Sequence, residues 1–248
     1  MQFLATNDPL ALAVVEAIRG GHIDTLKRLL ADHPGLAQTS IGGEADGRKP
    51  QQSRTLLHIV TDWPGHFPRG AETVAILVTA GANVNAQFIG PHTETPLHWA
   101  ASCDDVSVLD ALLDRGADIE ARGAVIAGGT ALADATAFGQ WKAARRLVER
   151  GAKTTLWEAS ALGLLERIET MFSTAVPPTE EITRCFWGAC HGGQQETAQY
   201  LLDRGADINW IGWDELTPLD AAGRAGANSL VAWLYHRGAK SAKELRGV

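Results

Sequence analysis

Cysteine is scarce in this chain: Cys103, Cys185 and Cys190 are the only three in 248 residues, an odd number with no CxxC pair. Disulfide frameworks and zinc knuckles need paired or closely spaced thiols, so this usage argues against both and points to a reducing interior. Basic charge is also short, with 22 Lys and Arg against 29 Asp and Glu and a net charge of −7. Nucleic acid as the main partner would call for a basic stripe to neutralise phosphates. The acidic surplus instead permits a partner with a basic patch. No run reaches the roughly 18 apolar residues of a membrane span. The opening "MQFLATNDPLALAVVEAIRGG" has no basic segment ahead of an apolar one, so a cytoplasmic location is expected. G-x-S-x-G, H-E-x-x-H and the phosphate-binding glycine loops are missing as well. Glycine pairs at 42–43, 128–129 and 192–193 read as turns, and neither a cofactor nor a metal is expected. His66, His92 and His191 lie in separate stretches without ligand spacing.

What the chain does contain is a period. "GA" followed by a polar residue recurs with its glycine at 81, 116, 151, 205 and 238, at intervals of 35, 35, 54 and 33. Periods of this size mark a stacked repeat. Ahead of the glycines stand "VAILVTAGA", "LDALLDRGA", "ARRLVERGA", "AQYLLDRGA" and "VAWLYHRGA", each an amphipathic helix closed by a residue that tolerates the left-handed conformation. A shorter helix precedes each of four of these: "TLLHIV", "TPLHWAA", "TALADAT" and "TPLDAAG". Threonine caps it, and proline in its first turn gives up a donor that has no partner there.

These stretches resemble the ankyrin repeat, with the pattern T-P-L-H-x-A-A, a glycine turn, a second helix and L-L-x-x-G-A-D-x-N. The resemblance is closest over 95–120 and good over 55–86, 130–152 and 217–239. It implies an all-α fold: an ankyrin-repeat α-solenoid of stacked helix pairs with β-hairpin fingers. Extended across 1–248 it reads as one domain of seven repeats, near 9–34, 53–86, 93–121, 128–152, 153–175, 182–209 and 215–240. The 54-residue interval must hold two of them and is short by 12, mostly at "GAKTTLWEAS", where a finger is missing. The N-terminal part is enlarged instead, by a long polar loop over 36–52 and an insertion at 62–71. Insertions in such stacks map to loops, commonly on the working face.

The resemblance also places the first helix of each repeat on the concave side. One helical face there collects Trp63, Trp99, Cys103, Asp134, Phe138, Glu158 and His191. The finger before the third repeat adds His92 and Glu94, the insertion adds His66 and Phe67, and Trp213 is a further aromatic anchor. His58 and His98 fill the family's structural histidine slot, as do Asp220, Trp157 and Trp187. Cys103 stands beside Asp104 and Asp105, which oppose a reactive thiolate. Two readings follow. The first is a protein–protein interaction module working through its concave face and fingers, with aromatic anchors and acidic positions that select a basic partner. The second is a small-molecule-binding or catalytic protein in which Asp134, Glu158 and His191 divide acid and base roles. Self-association through the fingers stays open beside them.

Overall fold

The computed structural model describes residues 3–43 and 51–247. The core of the long polar loop, 44–50, lies outside the described residues. The chain forms two compact units, Met1–Ala152 and Lys153–Val248.

In the first unit the helices come in pairs. They are α1 (Pro9–Arg19) with α2 (Ile23–Asp32), and α3 (Leu56–Thr61) with α4 (Gly70–Thr79). There follow α5 (Pro96–Ser102) with α6 (Val106–Leu113), and α7 (Ala131–Ala137) with α8 (Trp141–Glu149). In the last three pairs the first helix, α3, α5 or α7, is short and almost wholly buried, because it packs against its own partner and against the neighbouring pairs. Small residues permit that crowding: Ala100, Ala101, Ala131 and Ala135 have no measurable or almost no exposure. Leu56, Leu57, Ile59, Leu97 and Leu132 supply the apolar area, with Leu77, Leu109 and Leu112 added from the second helices. Each large side chain of this kind contributes about 1.5–3 kcal/mol on leaving water.

The second unit holds α9 (Leu156–Leu162), α10 (Leu165–Thr174), α11 (Thr179–His191) and α12 (Gln195–Leu202). It continues with α13 (Pro218–Arg224), α14 (Asn228–His236) and α15 (Ala242–Arg246). Its core is one cluster around Phe172, Ile182, Phe186, Leu201, Leu219, Leu230 and Leu234. The missing finger is visible as chain length: residues 80–95 separate α4 from α5, while 150–155 alone separate α8 from α9. Residues 175–178 are likewise all that precede α11, which starts directly after Pro178.

The periodic glycines have one role. Gly81, Gly116, Gly151, Gly205 and Gly238 all hold φ between 84° and 98°, where a Cβ is penalised. A few residues further on, an asparagine ties one repeat to the next. Asn85 donates through Nδ2 to the carbonyl of Gly116 and accepts the Asp118 N–H at 2.8 Å. In the second unit, Asn209 makes the same pair of bonds to Gly238 and to the Lys240 N–H. The "G-A-x-x-N" signature is thus a register mark that joins successive repeats through the backbone.

The expected β-hairpin fingers are mostly not sheet. The described strands are two residues each, β1 (Phe3–Leu4), β2 (Ser40–Ile41) and β3 (Arg54–Thr55), in the order β1–β2–β3. β1 runs parallel to β2, and β3 antiparallel to it. Beyond these, a single bridge joins Ser53 to Ile89 in both directions, at 2.9 and 3.0 Å. The other fingers are held by turns and side-chain caps, because their "GADIEARG"-like sequences are polar and glycine-broken and offer no alternating apolar face.

Candidate functional site

The N3 position of the short helices explains several conspicuous side chains. Five of them, α3, α5, α7, α9 and α13, start at a threonine cap. At α3 and α5 the cap is closed by a histidine three residues on. The Thr55 N–H and hydroxyl both reach Nδ1 of His58, at 3.3 and 2.9 Å. A backbone N–H can only donate, so Nδ1 is the acceptor and Nε2 carries the proton. Nε2–H then donates to the Glu94 carbonyl at 3.1 Å, the residue just before the next threonine cap. His98 repeats the arrangement with Thr95 and the Gly129 carbonyl. Burial pushes the His58 pKa down to about 4, against the Glu94 bond that favours the charged ring. Burial lowers that of His98 too.

Acids take over this post in the second unit. Glu158 accepts the Thr155 N–H at 2.6 Å and its hydroxyl at 2.9 Å. Asp220 does the same for Thr217 and also accepts the Ala242 N–H at 2.8 Å. This revises the placing of Glu158. Read backward from the glycine turn it aligns with Trp99 and Asp134, but counted from the cap it stands one place earlier, where the carboxylate closes its own helix. Between cap and left-handed turn, α9 is one residue shorter than α5. Asp134 belongs to the first unit, whereas Glu158 and His191 belong to the second. His191 is buried at the end of α11, its ring 5.4 Å from Trp187 and 6.5 Å from Trp157.

Trp187 fills the histidine slot by other means. Its Nε1–H donates to the Leu216 carbonyl at 2.9 Å, again just ahead of a threonine cap. Trp157 has no such outlet, and no hydrogen-bond partner reaches its buried Nε1 among the described residues. By the pattern of His58 and Trp187 its carbonyl would come from the finger ahead of α11, where the chain has only residues 175–178. Trp213 lies edge-on to Trp187 at 5.0 Å, to Trp210 at 5.5 Å and to Trp157 at 5.8 Å, and remains 45% exposed. Trp210 went unnoticed in the sequence, since finger residues have no helical spacing to betray them.

In the first unit, the insertion between α3 and α4 is a pinned loop. The His66 N–H donates to Asp105 Oδ2 at 2.8 Å, and its ring Nε2 lies 3.0 Å from the Cys103 carbonyl. Asp62 receives Arg19 at 2.6 Å and Arg54 at 2.7 Å. The Arg19 guanidinium also lies over the Phe67 ring, 5.8 Å from its centre. Gly65 holds φ 76°, and a Cβ there would press on Cys103. From this fixed base Trp63 stands 82% exposed. Cys103 is half-buried; burial first, then Asp105 and Asp62, push its thiol up to about 11. Phe138, the cap residue after α7, is 46% exposed.

Trp99 is half-buried against His58 at 4.9 Å and Phe88 at 5.3 Å, the latter ring unforeseen because it too sits in a finger. Beside it lie two carboxylates. Glu94, 8% exposed, has its pKa raised by burial, held back by the Trp99 N–H it accepts, and raised again by the Asp134 charge. Asp134 has no measurable exposure; burial raises its pKa, against the N–H groups of Ile126 and Val125. Oδ1 receives the Ile126 N–H at 3.0 Å, while no donor among the described residues reaches Oδ2. His92 is close enough to oppose both shifts. Among the described residues no group of three His, Cys, Asp or Glu is arranged to hold a metal.

The family model described as "Ankyrin repeats (3 copies)" matches residues 70–157. An ankyrin repeat and KH domain-containing protein of Caenorhabditis briggsae is 34% identical over an alignment of 193 residues. That alignment takes in 72% of this chain but 7% of the relative's own length. With the paired helices, the threonine–histidine caps and the left-handed glycines, these matches show that the chain carries ankyrin repeats.

Proposed function

We propose that the chain is a protein-interaction module whose first unit recognises its partner through Trp63, Phe67, Trp99 and Phe138, with His66, His92, Glu94, Cys103 and Asp134 around them. Ankyrin repeats are generally protein-interaction modules, which is the family-level ground for the reading. The observation that carries it is Trp63, 82% exposed on a loop fixed by His66 and Asp62. A large aromatic presented to water from a pinned loop is an anchor ready for burial, and such residues dominate interface energetics. In the second unit Trp213 plays the same part, backed by Trp157, Trp187 and His191. The net charge of −7 suits a partner with a basic patch. A reducing compartment such as the cytoplasm suits the three free thiols. No helix among the described residues is long and apolar enough to cross a membrane.

The test is capture from a cell lysate with the wild type and the Trp63→Ala, Phe138→Ala double variant side by side, read by mass spectrometry. A hot-spot anchor is worth about 2 kcal/mol or more, so the variant should retain the specific partner at least about tenfold less. Equal retention by both proteins overturns the reading.

A further inference from the structure

The pair Glu94 and Asp134 is built around a missing positive charge. Carboxylates in native interiors are ordinarily neutralised or supplied with donors, because a desolvated oxygen without either is costly. Asp134 fails that rule at one atom. It has no measurable exposure, its Oδ1 is satisfied by Ile126, and its Oδ2 has no donor among the described residues. Glu94 adds a second negative charge near enough to act on it. Among the described residues, the basic side chain that acts on both is His92, half-exposed on the same finger as Glu94. Trp99 supplies the approach: its ring is half-exposed, it donates to Glu94, and Phe88 stands 5.3 Å behind it. Ile126, whose N–H binds Asp134, shows a 37% exposed side chain beside Val125, 41% exposed.

We propose that this cluster is the socket for one cationic side chain, an arginine or lysine of the partner, which lies along Trp99 and Phe88 and pairs with Glu94, the buried Asp134 carboxylate adding its charge from behind. The inference rests on the interaction reading above and names the chemistry that reading leaves open. A guanidinium brings five N–H donors and an aromatic-stacking face, matching two carboxylates next to an indole. The competing neutraliser is a proton on Asp134, and binding displaces it. Affinity for the cation therefore rises with pH through the range in which the pair titrates, until both groups are ionised.

Uniformly labelled wild-type protein is titrated with N-acetyl-arginine amide, with N-acetyl-lysine amide and with uncharged N-acetyl-citrulline amide. The Trp99 indole N–H, the Ile126 amide and the side-chain carboxyl carbons are followed by NMR. The expected result is a saturable shift at all three with the arginine or the lysine compound, none with citrulline, and at least tenfold weaker binding in Glu94→Gln. Asp134→Asn keeps the acceptor for Ile126 and should do the same; Glu94→Gln and the wild-type comparison stand if that variant misfolds. No response to either cation overturns the proposal. So does an equal response to citrulline, or an Asp134 carboxyl that holds its proton throughout. A socket that binds arginine in a chain that captures no partner would sink the interaction reading alone, and the reverse outcome the socket alone.

Discussion

The indole N–H of Trp187 donates to the carbonyl of Leu216 at 2.9 Å, reproducing with a different ring the bond that His58 makes to the Glu94 carbonyl. In both, the acceptor immediately precedes the threonine that caps the next short helix. An indole nitrogen is a donor only, so the bond needs no tautomer and cannot be titrated away. Trp187→Phe removes the donor and the five-membered ring, so the Leu216 carbonyl keeps only the Gly212 N–H at 2.9 Å and a small void opens in the core. The expected cost is about 1–3 kcal/mol in urea unfolding, without change of the m-value. A loss below about 0.5 kcal/mol would show that water replaces the bond.

His58 gives the fold an acid-sensitive link. Its folded pKa, about 4, lies below the ordinary 6.5, so between those values the unfolded chain binds the proton and the folded chain does not. Stability therefore rises with pH across that window, is level above it, and falls by on the order of 3 kcal/mol as pH drops toward 4. His98, lowered by burial as well, adds to the same slope. Glu94 and Asp134 have raised pKa values and work in the opposite sense, favouring the fold at low pH and less so once they ionise. Urea titrations from pH 4 to 8 should give a flatter acid limb in His58→Gln than in the wild type. Parallel limbs would assign the acid loss to other groups.

Cys103 should be a slow thiol in spite of its half-exposed position. With its pKa pushed up to about 11 by burial, Asp105 and Asp62, its thiolate fraction at neutral pH is about a hundredfold below that of an ordinary cysteine. Alkylation by iodoacetamide, read by peptide mass spectrometry, should be slower by that order at pH 7. Its rate should still rise about tenfold per pH unit beyond pH 9. Rapid labelling at pH 7 would mean that the loop over Gly65 opens.

Asn85 and Asn209 test the register marks. Each makes two bonds to the backbone of the following repeat. Alanine at either should cost about 1–2 kcal/mol, since Asn85 is exposed and Asn209 half-buried, and water recovers part of the loss. Aspartate keeps the acceptor for Asp118 or Lys240 N–H and loses only the bond donated by Nδ2. The order expected from thermal unfolding is wild type, then Asn85→Asp, then Asn85→Ala; an inverted order would rule out the amide donor as the stabilising part.

Much of the repeat unit was legible because its grammar is local. Threonine three residues before histidine, and glycine after an amphipathic helix, act through turns and caps within a few residues of chain. The candidate site was harder to read. Glu158 looked like a partner for Asp134 when counted back from its glycine turn, yet an interval one residue shorter between cap and left-handed turn brings its carboxylate to the cap instead. Phe88 and Trp210 lie in fingers, where no periodicity announces which side chain points inward.

Sequence alone determined the helix pairs, the left-handed turns and the repeat, because each follows from backbone preferences that neighbouring residues settle. Tertiary structure decided what the conspicuous side chains do. Asp134 is sealed in while Trp63 is held out in water, a difference set by what the adjoining finger and the inserted loop pack against. Burial, and the charge a buried oxygen then requires, depend on residues brought together from distant parts of the chain.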